Sequence, residues 1–216
     1  MFPQRLIQGY RSFLDGRFLK EQTRYRELGE QGQKPEIMVI GCCDSRVAPE
    51  TIFDARPGEL FVVRNVANLV PPCENDSLSY HGTSAAIEFA VQALRVKHIV
   101  VLGHASCGGI RAVVEQAGPL SPGNFIGKWT SQIAHLEAQL GKPGPDLAAH
   151  LRRMELAVVE HSLKMLMTFP CVSTLVGRGK LQLHGAYFGV ATGQLLIRDS
   201  QTGEFVPCVH ARDALS

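Results

Sequence analysis

No apolar run among the 216 residues approaches the roughly 18 that a membrane-spanning helix needs, so a membrane protein is not expected. The segment Met1-Phe2-Pro3-Gln4-Arg5 has none of the continuous apolar stretch of a secretory signal. Charge of one sign is lacking too. The 22 basic residues face 20 acidic ones with no Lys/Arg cluster, which excludes the usual footprint of a nucleic-acid binder. There is no Cys-x-x-Cys, and the cysteines at 42, 43, 73, 107, 171 and 208 form no compact framework. A disulfide scaffold and a dithiol redox protein are therefore both disfavoured, the vicinal Cys42-Cys43 being poor geometry for a switch. Ser45 has no Gly-x-Ser-x-Gly elbow around it, and no Gly-Lys-Ser/Thr follows Gly108-Gly109, so neither a serine hydrolase nor a phosphate cradle is expected. No internal repeat or low-complexity tract breaks the chain. What remains is a globular protein of the reducing cytoplasm, with Cys73, Cys171 and Cys208 read as free thiols and others available to a metal.

The hydrophobic pattern then supplies an α/β chain. Residues 4 to 28 read as a helix with Leu6, Ile7, Tyr10, Phe13 and Leu14 at helical spacing, an amphipathic stripe suited to docking on the body or on a second subunit. Strands are expected at Glu36–Ile40, Glu59–Val63, His98–Leu102 and Leu181–Val190, with shorter ones at Leu195–Arg198 and Glu204–Val206. Helices are expected from Thr83 or Ser84 to before His98, through Ile110–Val114, from about Asn124 to Leu140, and from an Asp146 cap to about Thr168. A polar loop fills Pro71 to Tyr80, and Thr192-Gly193 and Thr202-Gly203 mark turns. This alternation predicts one domain over 1–216: a helical arm (1–34) and a core (35–216). Its sheet is central and mostly parallel, with an antiparallel edge and flanking helices.

Two short strings carry the chemistry: Cys42-Cys43-Asp44-Ser45-Arg46 and Gly103-His104-Ala105-Ser106-Cys107-Gly108-Gly109. Each follows a buried-type strand, and in open α/β sheets the segments beyond the carboxyl ends of neighbouring strands meet where ligands bind. Together they offer two thiols, an imidazole and a carboxylate, a set suited to zinc. Cys42 and Asp44, two apart in an extended segment, project to one side, whereas Cys43 points to the other.

These residues resemble the β-class carbonic anhydrases. The resemblance runs from about Gln33 to Val190. It rests on Cys42-x-Asp44-Ser45-Arg46, on His104-x-x-Cys107-Gly108-Gly109, and on two segments between them, Pro57 to Asn68 and Gly82 to Ala90. It implies one Zn²⁺ per chain held by Cys42, His104 and Cys107, with Asp44 and Arg46 as a dyad beside it. It implies reversible hydration of carbon dioxide to bicarbonate by attack of zinc-bound hydroxide. Two thiolates would neutralise the ion and leave one position open. Asp44 would accept a hydrogen bond from the nucleophile, and Arg46, a rigid fork of donors, would hold that carboxylate in place and keep it ionised. By the same resemblance, Phe61, Val66 and Phe89 line an apolar pocket. Gln33 and the Gly108 N–H hold the substrate oxygens there, at the interface of a homodimer or larger assembly.

Three alternatives stand beside this reading. Asp44 could be a fourth ligand, giving a closed structural site or a closed state of an enzyme, but Arg46 competes with the metal for it. The chain could be a non-catalytic zinc-binding or anion-sensing subunit, for which Arg46 has no use. Carbonyl sulfide or carbon disulfide, linear isosteres, could replace carbon dioxide as substrate. Some family members carry a regulatory bicarbonate pocket of Trp, Arg and Tyr; Val39, Arg64 and Phe188 stand at those positions, so that pocket is expected to be absent. His81, His98, His135, His150, His161, His184 and His210 have no ligand spacing and read as surface or packing residues, His184 as a buried hydrogen-bonded one.

Overall fold

A computed structural model describes residues 1–74 and 81–208. Part of the Pro71–Tyr80 loop and all of His210 fall outside the described residues.

The arm is helical from 4 to 31: α1 (Gln4–Phe13), a π-helical stretch (Leu14–Phe18) and α2 (Leu19–Gln31). Gly32, at φ 78°, ends it in the left-handed conformation that glycine adopts without strain, and its N–H bonds back to the Leu28 carbonyl. The arm grips the body through Arg17 Nη2 donating to the Ala55 carbonyl (3.0 Å) and Arg24 Nε to that of Pro57 (2.6 Å). No residue of α1 is buried; Leu6 and Tyr10 are exposed.

Six strands form one sheet in the order β2-β1-β3-β4-β5-β6: β1 (Ile37–Cys42), β2 (Leu60–Asn65), β3 (His98–His104), β4 (Gln182–Phe188), β5 (Leu195–Arg198) and β6 (Phe205–Pro207). The first four in that order are parallel, and β5 and β6 run antiparallel, so the antiparallel edge consists of two strands. β1 lies between β2 and β3, which makes the carboxyl ends of β1 and β3 a topological switch point.

One sheet face carries Met38, Ile40, Ile99 and Val101. It is covered by α4 (Gly82–Glu88, prolonged by π-helical Phe89–Leu94), α8 (Leu147–Leu166) and α9 (Pro170–Gly177). The opposite face carries Val39, Leu102 and Ala186 with half-buried Ile37, Leu60, Val62 and Val100. Among the described residues, Ile52 of the short α3 (Pro49–Ile52) is the helical side chain packed there. Among the described residues, that face has less helical cover than the first, although Val39, Leu102 and Ala186 are themselves buried.

Two helical expectations need correction. The span 124–140 is not one helix but α6 (Phe125–Thr130), a 3₁₀ turn (Ser131–Ile133) and α7 (Ala134–Leu140). Thr130 Oγ1 bonds back to the Ile126 carbonyl (2.9 Å), the kind of local competition that bends helices, and Trp129 Nε1 is anchored on the Val66 carbonyl (2.8 Å). α9 was not expected; its signal is Pro170 in the first turn, where a missing N–H costs nothing. His184 is exposed rather than buried, paired with His98 at 3.2 Å. Its imidazole is held below the usual histidine range by partial desolvation and by His98.

Candidate metal centre

Cys42 ends β1 and His104 ends β3, and parallel register brings these ends side by side. Cys107 then arrives through a tight turn in which Ser106 takes a left-handed φ of 58°. Just beyond it, α5 (Gly108–Val114) begins. A Cβ on Gly109 would lie 2.6 Å from Val66 Cγ1, so only glycine lets α5 start this close to the 66–68 turn.

The donor atoms of Cys42, His104 and Cys107 all lie within 4.8 Å of one another, and all three residues are buried. The sulfurs are 3.9 Å apart; two Zn–S bonds of about 2.3 Å at a tetrahedral angle separate sulfurs by about 3.8 Å. His104 Nδ1 donates to the Ala105 carbonyl (2.9 Å), which leaves Nε2 as the lone-pair nitrogen. That Nε2 is buried without a hydrogen-bond partner among the described residues. A buried acceptor so aimed fits a cation between it and the sulfurs. The hydrogen bond from Cys107 holds the Cys42 thiol below the usual thiol range, while the Cys42 sulfur and burial push the Cys107 thiol up.

Asp44 lies outside that donor cluster. Its carboxylate is gripped by Arg46, Nε to Oδ1 at 2.8 Å and Nη2 to Oδ2 at 2.7 Å, with the Arg46 N–H adding a third bond at 3.0 Å. Those bonds hold the Asp44 carboxyl well below the usual carboxylate range. Arg46 Nη2 also reaches the Ser106 carbonyl at 3.1 Å, tying the first string to the second. Cys43 is exposed, on the side away from buried Cys42.

Of the five residues expected to line the substrate pocket, Val66 and Gly108 share one cavity of about 260 Å³, walled also by Gly109, Leu120 and Ile126. The other three lie elsewhere in the protomer. Phe61 pairs in register with Met38, four residues before Cys42, or about 13 Å along the strand. Its ring meets that of exposed Phe89 in a tilted pair, centroids 5.9 Å apart. Gln33 is exposed in the link between α2 and β1, at the amino end of the sheet.

Sequence reasoning missed three supports. Arg64 clamps the metal loop from below, Nε on the Cys42 carbonyl (2.8 Å) and Nη2 on that of Asp44 (2.6 Å). Buried Glu155, on α8, accepts the Cys107 N–H (3.0 Å), and Tyr187, on β4, donates its O–H to the same carboxylate (2.7 Å). Nothing in their sequence neighbourhoods marks them; a charged residue in an apolar stretch of helix is the one available hint for Glu155.

Residues 37–195 match the carbonic anhydrase family profile. The chain is 34% identical over 193 residues to β carbonic anhydrase 6, mitochondrial, of Arabidopsis thaliana, covering 88% of this chain and 65% of that one. It thus spans just under two thirds of that relative's length. Among solved structures, the β-carbonic anhydrase CcaA superposes with a TM-score of 0.85 at 29% identity, over 94% of this chain and 98% of the other. One of two tetrameric β-carbonic anhydrases from Sordaria macrospora gives 0.77 at 28% identity, again over 94% and 98%. The chain belongs to the β-class carbonic anhydrase family.

Proposed function

We propose that the chain catalyses reversible hydration of carbon dioxide to bicarbonate and a proton, as a zinc enzyme built from two or more copies. The observation that carries this is the juxtaposition of three converging soft donors with a carboxylate locked by its own arginine. Cys42, His104 and Cys107 hold one Zn²⁺ per chain. When bound, zinc supplies Lewis acidity, making water a competent nucleophile near neutral pH. Asp44, ionised throughout the neutral range, would accept a hydrogen bond from a water or hydroxide at that site and so orient it toward the substrate. Arg46 orients Asp44 and makes it too costly to recruit as a permanent fourth ligand, which favours an open site over a closed structural one. The apolar cavity beside Val66, with the exposed Gly108 backbone, suits a linear molecule without a polar handle.

Gln33, Phe61 and Phe89 belong to this reading through a second copy, since within one protomer they lie at the far end of the strands. The half-buried Ile37, Leu60, Val62 and Val100 of the less covered sheet face and the unburied α1 supply apolar surface for it, and relatives from Sordaria macrospora are tetrameric. Arm (1–34) and catalytic core (35–216) act as one domain, the arm being tethered through Arg17 and Arg24. No helix among the described residues is long and apolar enough to cross a membrane, and six unpaired cysteines fit the reducing cytoplasm.

Stopped-flow carbon dioxide hydration with metal analysis on the same sample tests the proposal. Stoichiometric zinc and fast turnover are expected, with carbonyl sulfide as the competing substrate. Protein that takes up no metal, or that is loaded and inert toward carbon dioxide, would overturn it.

A further inference from the structure

Glu155 has no part in the chemistry above, yet it is a carboxyl only 2% exposed, set between Met154 and Val158 on the core side of α8. Burying such a group is expensive unless its oxygens are satisfied. Both are. Oε1 takes the Cys107 N–H and Oε2 takes the Tyr187 O–H, and the Arg152 guanidinium covers the Tyr187 ring at 5.8 Å. Tyr187 pairs in register with Gly103, so the phenol stands on the strand adjoining the one that ends in His104.

What this unit holds is a turn that would not hold itself. Ser106 is in a left-handed conformation that a non-glycine residue adopts only when its surroundings impose it. The turn is fixed from two sides: Arg46 takes the Ser106 carbonyl, and Glu155 takes the next N–H, that of Cys107. Releasing the second contact would leave the Cys107 sulfur free to swing away from Cys42 and His104.

We infer that Glu155 and Tyr187 are a positioning pair for the metal centre, holding the Cys107 backbone so that its sulfur stays converged with the other two donors. The inference rests on the zinc reading and deepens it. The hydrogen bonds carry the effect, so an amide in place of the carboxylate preserves it: a glutamine oxygen accepts the same N–H, and its NH₂ donates to the phenol oxygen.

The test measures zinc affinity by competition with a chromophoric chelator, and donor geometry from the absorption bands of the cobalt-substituted protein. Glu155→Ala should bind zinc about 10- to 100-fold more weakly, the usual cost of losing an outer-shell partner, with shifted cobalt bands. Glu155→Gln should return to within about threefold of the wild type, and Tyr187→Phe should fall between the two. Wild-type affinity and spectrum in folded Glu155→Ala would overturn the inference, as would Glu155→Gln as weak as Glu155→Ala. If Glu155→Ala does not fold, Tyr187→Phe decides, and an unchanged affinity and spectrum there overturn it. Wild-type protein that binds no zinc in the same titration would instead sink the underlying metal reading.

Discussion

At the residue scale, the three clustered donors Cys42, His104 and Cys107 are separate from the Asp44–Arg46 pair beside them. Asp44 touches Arg46 and not the donor cluster, so Asp44→Asn should keep its zinc while hydration turnover falls by about 10²–10⁴, the range for losing a positioned proton acceptor. Cys107→Ser should lose both. Metal analysis beside the stopped-flow assay separates the two outcomes, and an Asp44→Asn variant at full turnover would remove Asp44 from the mechanism. The pairing also has a pH signature. A carboxylate whose folded pKa is depressed contributes stability that is complete above its unfolded value of about 3.9, and loses it as pH falls through the lower folded value. The stability difference between wild type and Asp44→Asn should therefore be flat from about pH 5 to pH 9 in urea titrations. A slope near neutrality would mean that Arg46 does not hold the carboxylate.

At the scale of the element, close approach decides what each strand and helix can carry. β3 passes so near α8 that a Cβ on Gly103 would sit 2.6 Å from Val159 Cγ2. Gly103→Ala should cost about 1–3 kcal/mol, as overpacking a core does, measured by urea unfolding. It should also disturb the metal turn one residue on. The start of α8 is set by Asp146, whose Oδ1 accepts the Ala149 N–H at 2.9 Å. Asp146→Ala should cost about 1 kcal/mol and leave zinc content unchanged. Both strand and cap were legible in the sequence because they rest on local pattern: apolar runs of strand length, and a capping residue after a Gly/Pro break. The break between α6 and α7 was not legible, because Trp129 reaches a carbonyl 63 residues away and pins the helix where periodicity alone would continue it.

At the scale of the whole molecule, helices among the described residues cover one sheet face more fully than the other. Helices seal the Met38–Ile40 face, whereas Ile37, Leu60, Val62 and Val100 lie half-buried on the other, and the α1 stripe has no cover of its own. Replacing exposed Leu6 and Tyr10 together by Glu should lower the assembly state in analytical ultracentrifugation and, on the proposal that Gln33, Phe61 and Phe89 act in a neighbouring copy, reduce turnover per zinc. A double variant that stays assembled and fully active would place the interface elsewhere. Arg64 is committed to the Cys42 and Asp44 carbonyls, with apolar Val39 and Phe188 at the positions expected to flank it in a regulatory pocket. Bicarbonate should therefore act as product alone, without sigmoidal inhibition of the initial rate.

The order of the strands, most of the helices, the two donor strings and their soft-metal chemistry were determined by the sequence, because hydrophobic period and donor type are properties of short stretches of chain. Only tertiary structure decided that His104 presents Nε2 inward, that Arg64, Glu155 and Tyr187 hold the turns, and that Phe61 lies most of a strand's length from Cys42 in its own protomer. Those outcomes depend on strand register and on contacts between residues tens of positions apart, where a hydrogen bond is chosen by which backbone group packing brings within 3 Å. No local pattern records that choice.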